Sequence, residues 1–251
     1  MGTGRTAADD EGFDLLRNDL LLKWQRRLRI APQEGLGVVR RAVFFALLTW
    51  LPLMVWAVLN DRLLYVEGGE PLFKHFGIHV RCLVAIPLFI LAEAMAAGVL
   101  QKLVGEFRAS KIVTDGQQAE FAALLAGMAR LRDASLPWIL VIGCTLAWIF
   151  ATPVQSDSHD LAWSAAGGEL GFGGWWFLYV VRPVFLVLLL GWFWRIVLVI
   201  LLFQRIARLD LSLVPSHPDR CGGLGFLKKL PAMFFLVTLA VSSIIASRWM
   251  H

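Results

Sequence analysis

Charge is nearly missing from the longest stretch of this sequence: between Trp175 and Phe203 the only fully charged side chains are Arg182 and Arg195. A helix of that length, rising about 1.5 Å per residue, crosses a hydrocarbon layer about 30 Å thick. Over the whole chain 17% of residues are charged and 58% hydrophobic, with a mean hydropathy of +0.66, which excludes an ordinary soluble domain. Cysteine is scarce. Cys82, Cys144 and Cys221 fall at the edge of one apolar block, in the middle of another and in a loop, so a disulfide framework is excluded and free thiols are expected. No apolar run starts before about Ala42, so no cleavable signal peptide is expected. Lysine and arginine are missing from Val154 to Gly174, a gap that bears on topology.

What is present is a series of apolar blocks about as long as a bilayer is thick. They predict an all-α, multi-pass transmembrane helical bundle with spans at about 42–59, 82–100, 136–152, 175–203 and 231–247. The net charge of +5 and pI near 9.4 do not point to nucleic acid, because the basic residues gather at block ends rather than on one face. Lys23 to Arg41, Lys102 to Arg132 and Arg205 to Lys229 hold most of them. The positive-inside rule then predicts a cytoplasmic N-terminus in a cell inner membrane, with the lipid bilayer as the main partner. A homo-oligomer or a second membrane protein is a further possible partner; no nucleic acid and no cofactor are expected.

Two polar segments carry helical stripes. Residues 1–41 form a cytoplasmic N-terminal segment in which Phe13, Leu16, Leu20, Trp24 and Leu28 share one face, suited to a membrane surface or to the protein's own loops. Between the second and third spans, Thr114 and Gln117 are spaced as a capping box, and Phe121, Leu124, Leu125, Met128 and Leu131 form a stripe. This predicts a second amphipathic cytoplasmic helix. Pro52, Pro87 and Pro183 predict bends, and the glycines from Gly167 to Gly174 a flexible approach to Trp175 and Trp176. The tryptophans at 50, 56, 138, 148, 192 and 194 are expected in packing and interfacial roles. No internal repeat is evident.

Three groups of residues could carry chemistry. Glu93 and Arg195 fall at matching depths of two spans, and a lone charge there costs roughly 3 kcal/mol, so the two are expected to find each other or water. They would serve either an ion path or a clasp fixing helix register. Arg182 lies nearer the outer surface, within reach of it by snorkelling. In the loop 216–225, His217, Asp219 and Cys221 alternate as metal ligands might in an extended strand, but Pro218, Gly222, Gly223 and Gly225 equally suit a tight turn, with Arg220 and glycine amides as an anion site. His75 and His79, with Asp157, His159 and Asp160, are a weaker zinc pattern. No arrangement for nucleophilic catalysis stands out, and the glycines match neither a phosphate-binding nor a dinucleotide loop.

The stretches His79 to Glu93, Ala129 to Asp133 and above all Arg208 to Phe226, which reads RLDLSLVPSHPDRCGGLGF, resemble a family of bacterial multi-pass inner-membrane proteins with no established activity. The resemblance implies a location and a fold but no mechanism. Cys221 stands where that pattern has a small residue, which speaks against a metal role, and His75 lies outside it. It also implies that relatives continue past a fifth span, so that this chain would be a shortened form. The leading expectation is a channel-like or transporter-like protein, the competing one a non-catalytic membrane scaffold or sensor, and a metal-dependent enzyme using His217 and Asp219 comes third.

Overall fold

The computed structural model describes residues 37–66, 70–110, 112–151, 163–166, 169–213 and 218–249. The N-terminal amphipathic stripe lies outside the described residues. The elements are α1 (Gly37–Leu59), α2 (Phe76–Ala109), α3 (Gln118–Arg132), α4 (Ser135–Ala151), α5 (Phe172–Ile206) and α6 (Phe235–Arg248), the last preceded by a 3-10 segment, Gly225–Phe234. The all-α expectation holds apart from a two-residue antiparallel pairing of Ala165–Ala166 with Glu169–Leu170. Five helical stretches among the described residues are long and apolar enough to cross a membrane, which makes this a multi-pass membrane protein. The helices overrun the predicted spans. The first begins at Gly37 and so includes Arg40 and Arg41, and the second extends from Phe76 to Ala109.

Two compact units make up the chain. One includes Glu93–Ala134 and Arg195–Phe235; the other includes Ser135–Trp194 and the described parts of Gln25–Ala92 and Leu236–His251. In the second unit, α1 shows how a membrane helix inverts the soluble pattern. Its buried stripe is Ala42, Ala46, Thr49, Leu53 and Ala57, mostly small residues that let backbones approach, whereas Val43, Leu47, Leu51, Val55 and Val58 are exposed. Leu53 and Ala57 join Leu72, Ile78, Cys82, Trp163, Phe177, Leu178 and Val181 in one core.

The prolines do not end their helices, and the reason is local. Pro52 has no N–H to offer the Leu48 carbonyl four residues back, and the Trp176 indole N–H donates to that oxygen instead, at 3.2 Å. Pro87 and Pro183 are met differently. Each follows a π turn, Arg81–Ala85 and Phe177–Val181, in which the chain reaches back five residues: Ile86 N–H to Arg81 C=O, and Arg182 N–H to Phe177 C=O. The widened turn makes room for the ring that follows. The order Phe-Gly, π turn, Pro-x-Phe thus occurs at Phe76, Gly77, Pro87 and Phe89 and again at Phe172, Gly173, Pro183 and Phe185. This is a local repeat of two helix starts, contrary to the sequence reading. So few identities mark it that only the matching backbone exposes it.

The glycines before Trp175 are a second correction. Gly173 sits against the rings of Trp56 and Trp163, and Gly174 against Leu170 and Ser164, so these positions serve close packing rather than a flexible approach.

Within the first unit, Phe107 on α2 is the centre of the core. It packs on Phe121 of α3, Phe203 of α5 and, edge to face at 4.8 Å, on Phe226. Phe121, Leu125 and Met128 are buried, so the stripe of α3 faces the protein and not a lipid surface. The expected capping box is also replaced: Thr114 Oγ1 donates to Gln117 Oε1 and accepts no backbone N–H as a cap.

Candidate functional site

Glu93 and Arg195 meet in the first unit. Arg195 Nη2 donates to Glu93 Oε1 at 2.9 Å, and the two side chains are 4% and 6% exposed, respectively. Both elements are apolar for long distances on either side, so each charge offsets part of the other's desolvation cost. Arginine is a permanent cation, which leaves Glu93 as the member able to exchange a proton. In the second unit Trp192 N–H donates to the Phe89 carbonyl at 3.0 Å, as Trp176 N–H does to that of Leu48.

Arg182, in the second unit, packs on an aromatic ring. Its guanidinium lies 5.4 Å from the centroid of Phe177, the same ring that Arg81 approaches at 5.4 Å, and Arg81 is equally close to Phe185. Cation–π contact contributes to accommodating both guanidiniums among these aromatic rings. Sequence reading missed Arg81 as a partner in this group. The signal was its place at the start of a π turn, which no periodicity count reveals.

The loop from Pro218 to Phe226 is built around the Asp219 carboxylate. Oδ1 accepts the N–H groups of Cys221 and Gly223 at 2.9 and 3.1 Å, and Oδ2 accepts that of Gly225 at 2.8 Å. Arg220, Gly222 and Gly223 have φ of 55°, 65° and 95°, the left-handed turn that aims those amides inward. A Cβ at Gly225 would stand 2.9 Å from the Asp219 carboxylate, so glycine is required there. Phe226 then anchors the turn in the aromatic core. The amides proposed to bind an external anion are therefore occupied by the protein's own carboxylate. Asp219 is correspondingly committed, and an alternating strand of ligands is not formed. His217 lies outside the described residues, and Cys221 is exposed.

The other zinc pattern fares similarly. His75 precedes the α2 helix rather than sharing a face with His79, whose Nδ1 accepts the Trp50 indole N–H at 3.0 Å and whose Nε2 lies 3.1 Å from the Leu72 carbonyl. Asp157, His159 and Asp160 lie outside the described residues, among which no group of three or more His, Cys, Asp or Glu side chains could hold a metal.

The turn makes a direct prediction. Asp219→Ala removes one acceptor group serving three amides, each worth about 1.5–3 kcal/mol with a charged partner before compensation by water. Hydrogen exchange at Cys221, Gly223 and Gly225 is expected to accelerate together. Unchanged protection at all three would refute the carboxylate-centred turn.

Fold and site together define a multi-pass helical membrane protein with a buried carboxylate–guanidinium pair. Comparison with known families, with curated proteins and with solved structures finds no match in any of the three. The described end of the Arg208 to Phe226 motif, from Pro218 onward, is a folded turn centred on Asp219.

Proposed function

We propose that this protein moves a proton or a small cation across a membrane, with Glu93 as the exchanging carboxylate and Arg195 as its fixed counter-charge. The observation that carries this reading is the 2.9 Å pair itself, held between two helices that are each able to span a bilayer. Intramembrane ionisable groups are expensive and mark ion and substrate pathways. The distribution of lysine and arginine supports a cytoplasmic N-terminus, and the resemblance of the 208–226 motif supports a bacterial inner membrane. On that orientation the Asp219 turn belongs to the cytoplasmic rim.

A second reading is a non-transporting scaffold or sensor in which the pair is a clasp. It is favoured by the closure of the pair, whose side chains are 4% and 6% exposed. Flux in proteoliposomes separates the two. The intact chain is expected to carry proton or cation current, and Glu93→Gln, at matched insertion and stability, to lose it. Absence of current from the intact chain across several ions and voltages would reject transport in favour of the clasp.

A further inference from the structure

We propose that His79 is a proton-operated latch tying α1 to the start of α2. The observation is the division of labour between its two ring nitrogens. Nε2 faces the Leu72 carbonyl at 3.1 Å and Nδ1 faces the Trp50 indole N–H at 3.0 Å. A carbonyl only accepts and an indole N–H only donates, so the geometry assigns the neutral tautomer with hydrogen on Nε2 and the lone pair on Nδ1. Phe73 and Trp50 wall the ring at centroid distances of 6.2 and 6.4 Å. Ring and indole are both half-buried, so neither is sealed inside the protein.

A proton taken from solvent onto Nδ1 turns the imidazole into a donor at both nitrogens. The Leu72 bond survives, while Trp50 N–H then faces N–H and must swing away or lose its partner. Among the described residues of this unit, the Trp176 tie to Leu48 and the Trp192 tie to Phe89 both end on backbone carbonyls. Those acceptors do not titrate. Of these three ties the Trp50 one ends on an acceptor that a proton can occupy, which makes it a selective release rather than a general loosening.

Among the described residues the charged and titratable groups on the elements about the ring are few. α1 carries Arg40 and Arg41, two turns or more before Trp50; the segment leading into α2 carries Asp61, Arg62, Glu70, Lys74 and His75; α2 itself carries Arg81 and then nothing charged until Glu93; α6, whose Ser247 lies beside Gly77, carries Arg248; and the start of α5 carries none before Arg182. Neither of the two hydrogen bonds of the ring goes to any of them. The switch is therefore the exchange of one lone pair for one N–H.

The test uses the full chain in lipid nanodiscs with 15N-labelled tryptophan and histidine, titrated between about pH 8 and about pH 5, the range in which histidine serves as a switch. The ring nitrogens of His79 are expected to show the Nε2–H tautomer at high pH. The Trp50 indole resonance, identified by its loss in Trp50→Phe, is expected to shift with the same midpoint as His79 protonation, while those of Trp176 and Trp192 stay in place. In His79→Gln, which keeps an acceptor and a donor but does not titrate, the Trp50 shift is expected to vanish. The proposal is overturned if His79 stays neutral throughout, if it protonates without moving Trp50, or if the Trp50 shift survives in His79→Gln. Because the paired titration is read on the unaltered protein, it stands even where the variants fold poorly.

Discussion

Glu93→Ala is expected to destabilise the folded chain by about 3–5 kcal/mol. Truncation leaves the Arg195 guanidinium, 4% exposed, without the Glu93 carboxylate, and the part of its desolvation cost that this carboxylate offset appears in the folded state. Reversible unfolding in mixed micelles measures it directly. Removing both charges is a different experiment: Glu93→Leu with Arg195→Leu is expected to be neutral or stabilising by about 1–4 kcal/mol, since no stranded charge remains. Reversing the pair, Glu93→Arg with Arg195→Glu, is expected to recover much of what Glu93→Arg alone loses. A single substitution as mild as the double one would show that the pair is not dry, contrary to its burial.

Gly173→Ala is expected to cost about 1–3 kcal/mol or more, although it adds a single methyl group to a helix and alanine is the better helix former. The added Cβ would lie 2.5 Å from Trp56 Cε3 and 2.7 Å from Trp163 Cζ3, well inside contact distance. Neither ring can retreat easily. The two indoles already pack edge to face at 5.7 Å, and Trp163 has no exposed surface. Gly143→Ala is the matched control, because a Cβ there meets nothing within 4 Å, and it is expected to be neutral or stabilising by up to about 1 kcal/mol. Thermal unfolding followed by tryptophan fluorescence would record both; equal effects would mean that the Trp56 and Trp163 wall yields.

Much of the candidate site was legible before any fold was known, for one reason. A charge inside an apolar run is rare and costly, so Glu93 and Arg195 identify themselves and each predicts the other. Their partnership follows from energetics that act at the level of residue type and depth. The Asp219 turn was half legible: its glycines and proline announce a turn, but not that the carboxylate would fill the space an outside anion or metal was expected to use. That depends on three backbone amides being aimed at one point by successive left-handed residues, a fact of φ angles rather than of composition. His79 was the least legible. As a spacing it suggested a metal ligand beside His75, and only the placement of Trp50 and Leu72 about its ring turned it into a hydrogen-bonded tie.

What the sequence by itself determined is the solvent and the class of fold. Apolar blocks of bilayer length force helices, because every backbone amide inside hydrocarbon must be satisfied within its own segment. What only the tertiary structure decided is which side chain repairs each departure from that rule, and which stripe faces the protein. Trp176 answers the carbonyl left by Pro52, two π turns absorb Pro87 and Pro183, and the stripe of α3 closes on Phe107 instead of lying on lipid. Those outcomes join residues far apart in the chain, and a periodicity of three and four is the same whichever apolar partner fills it.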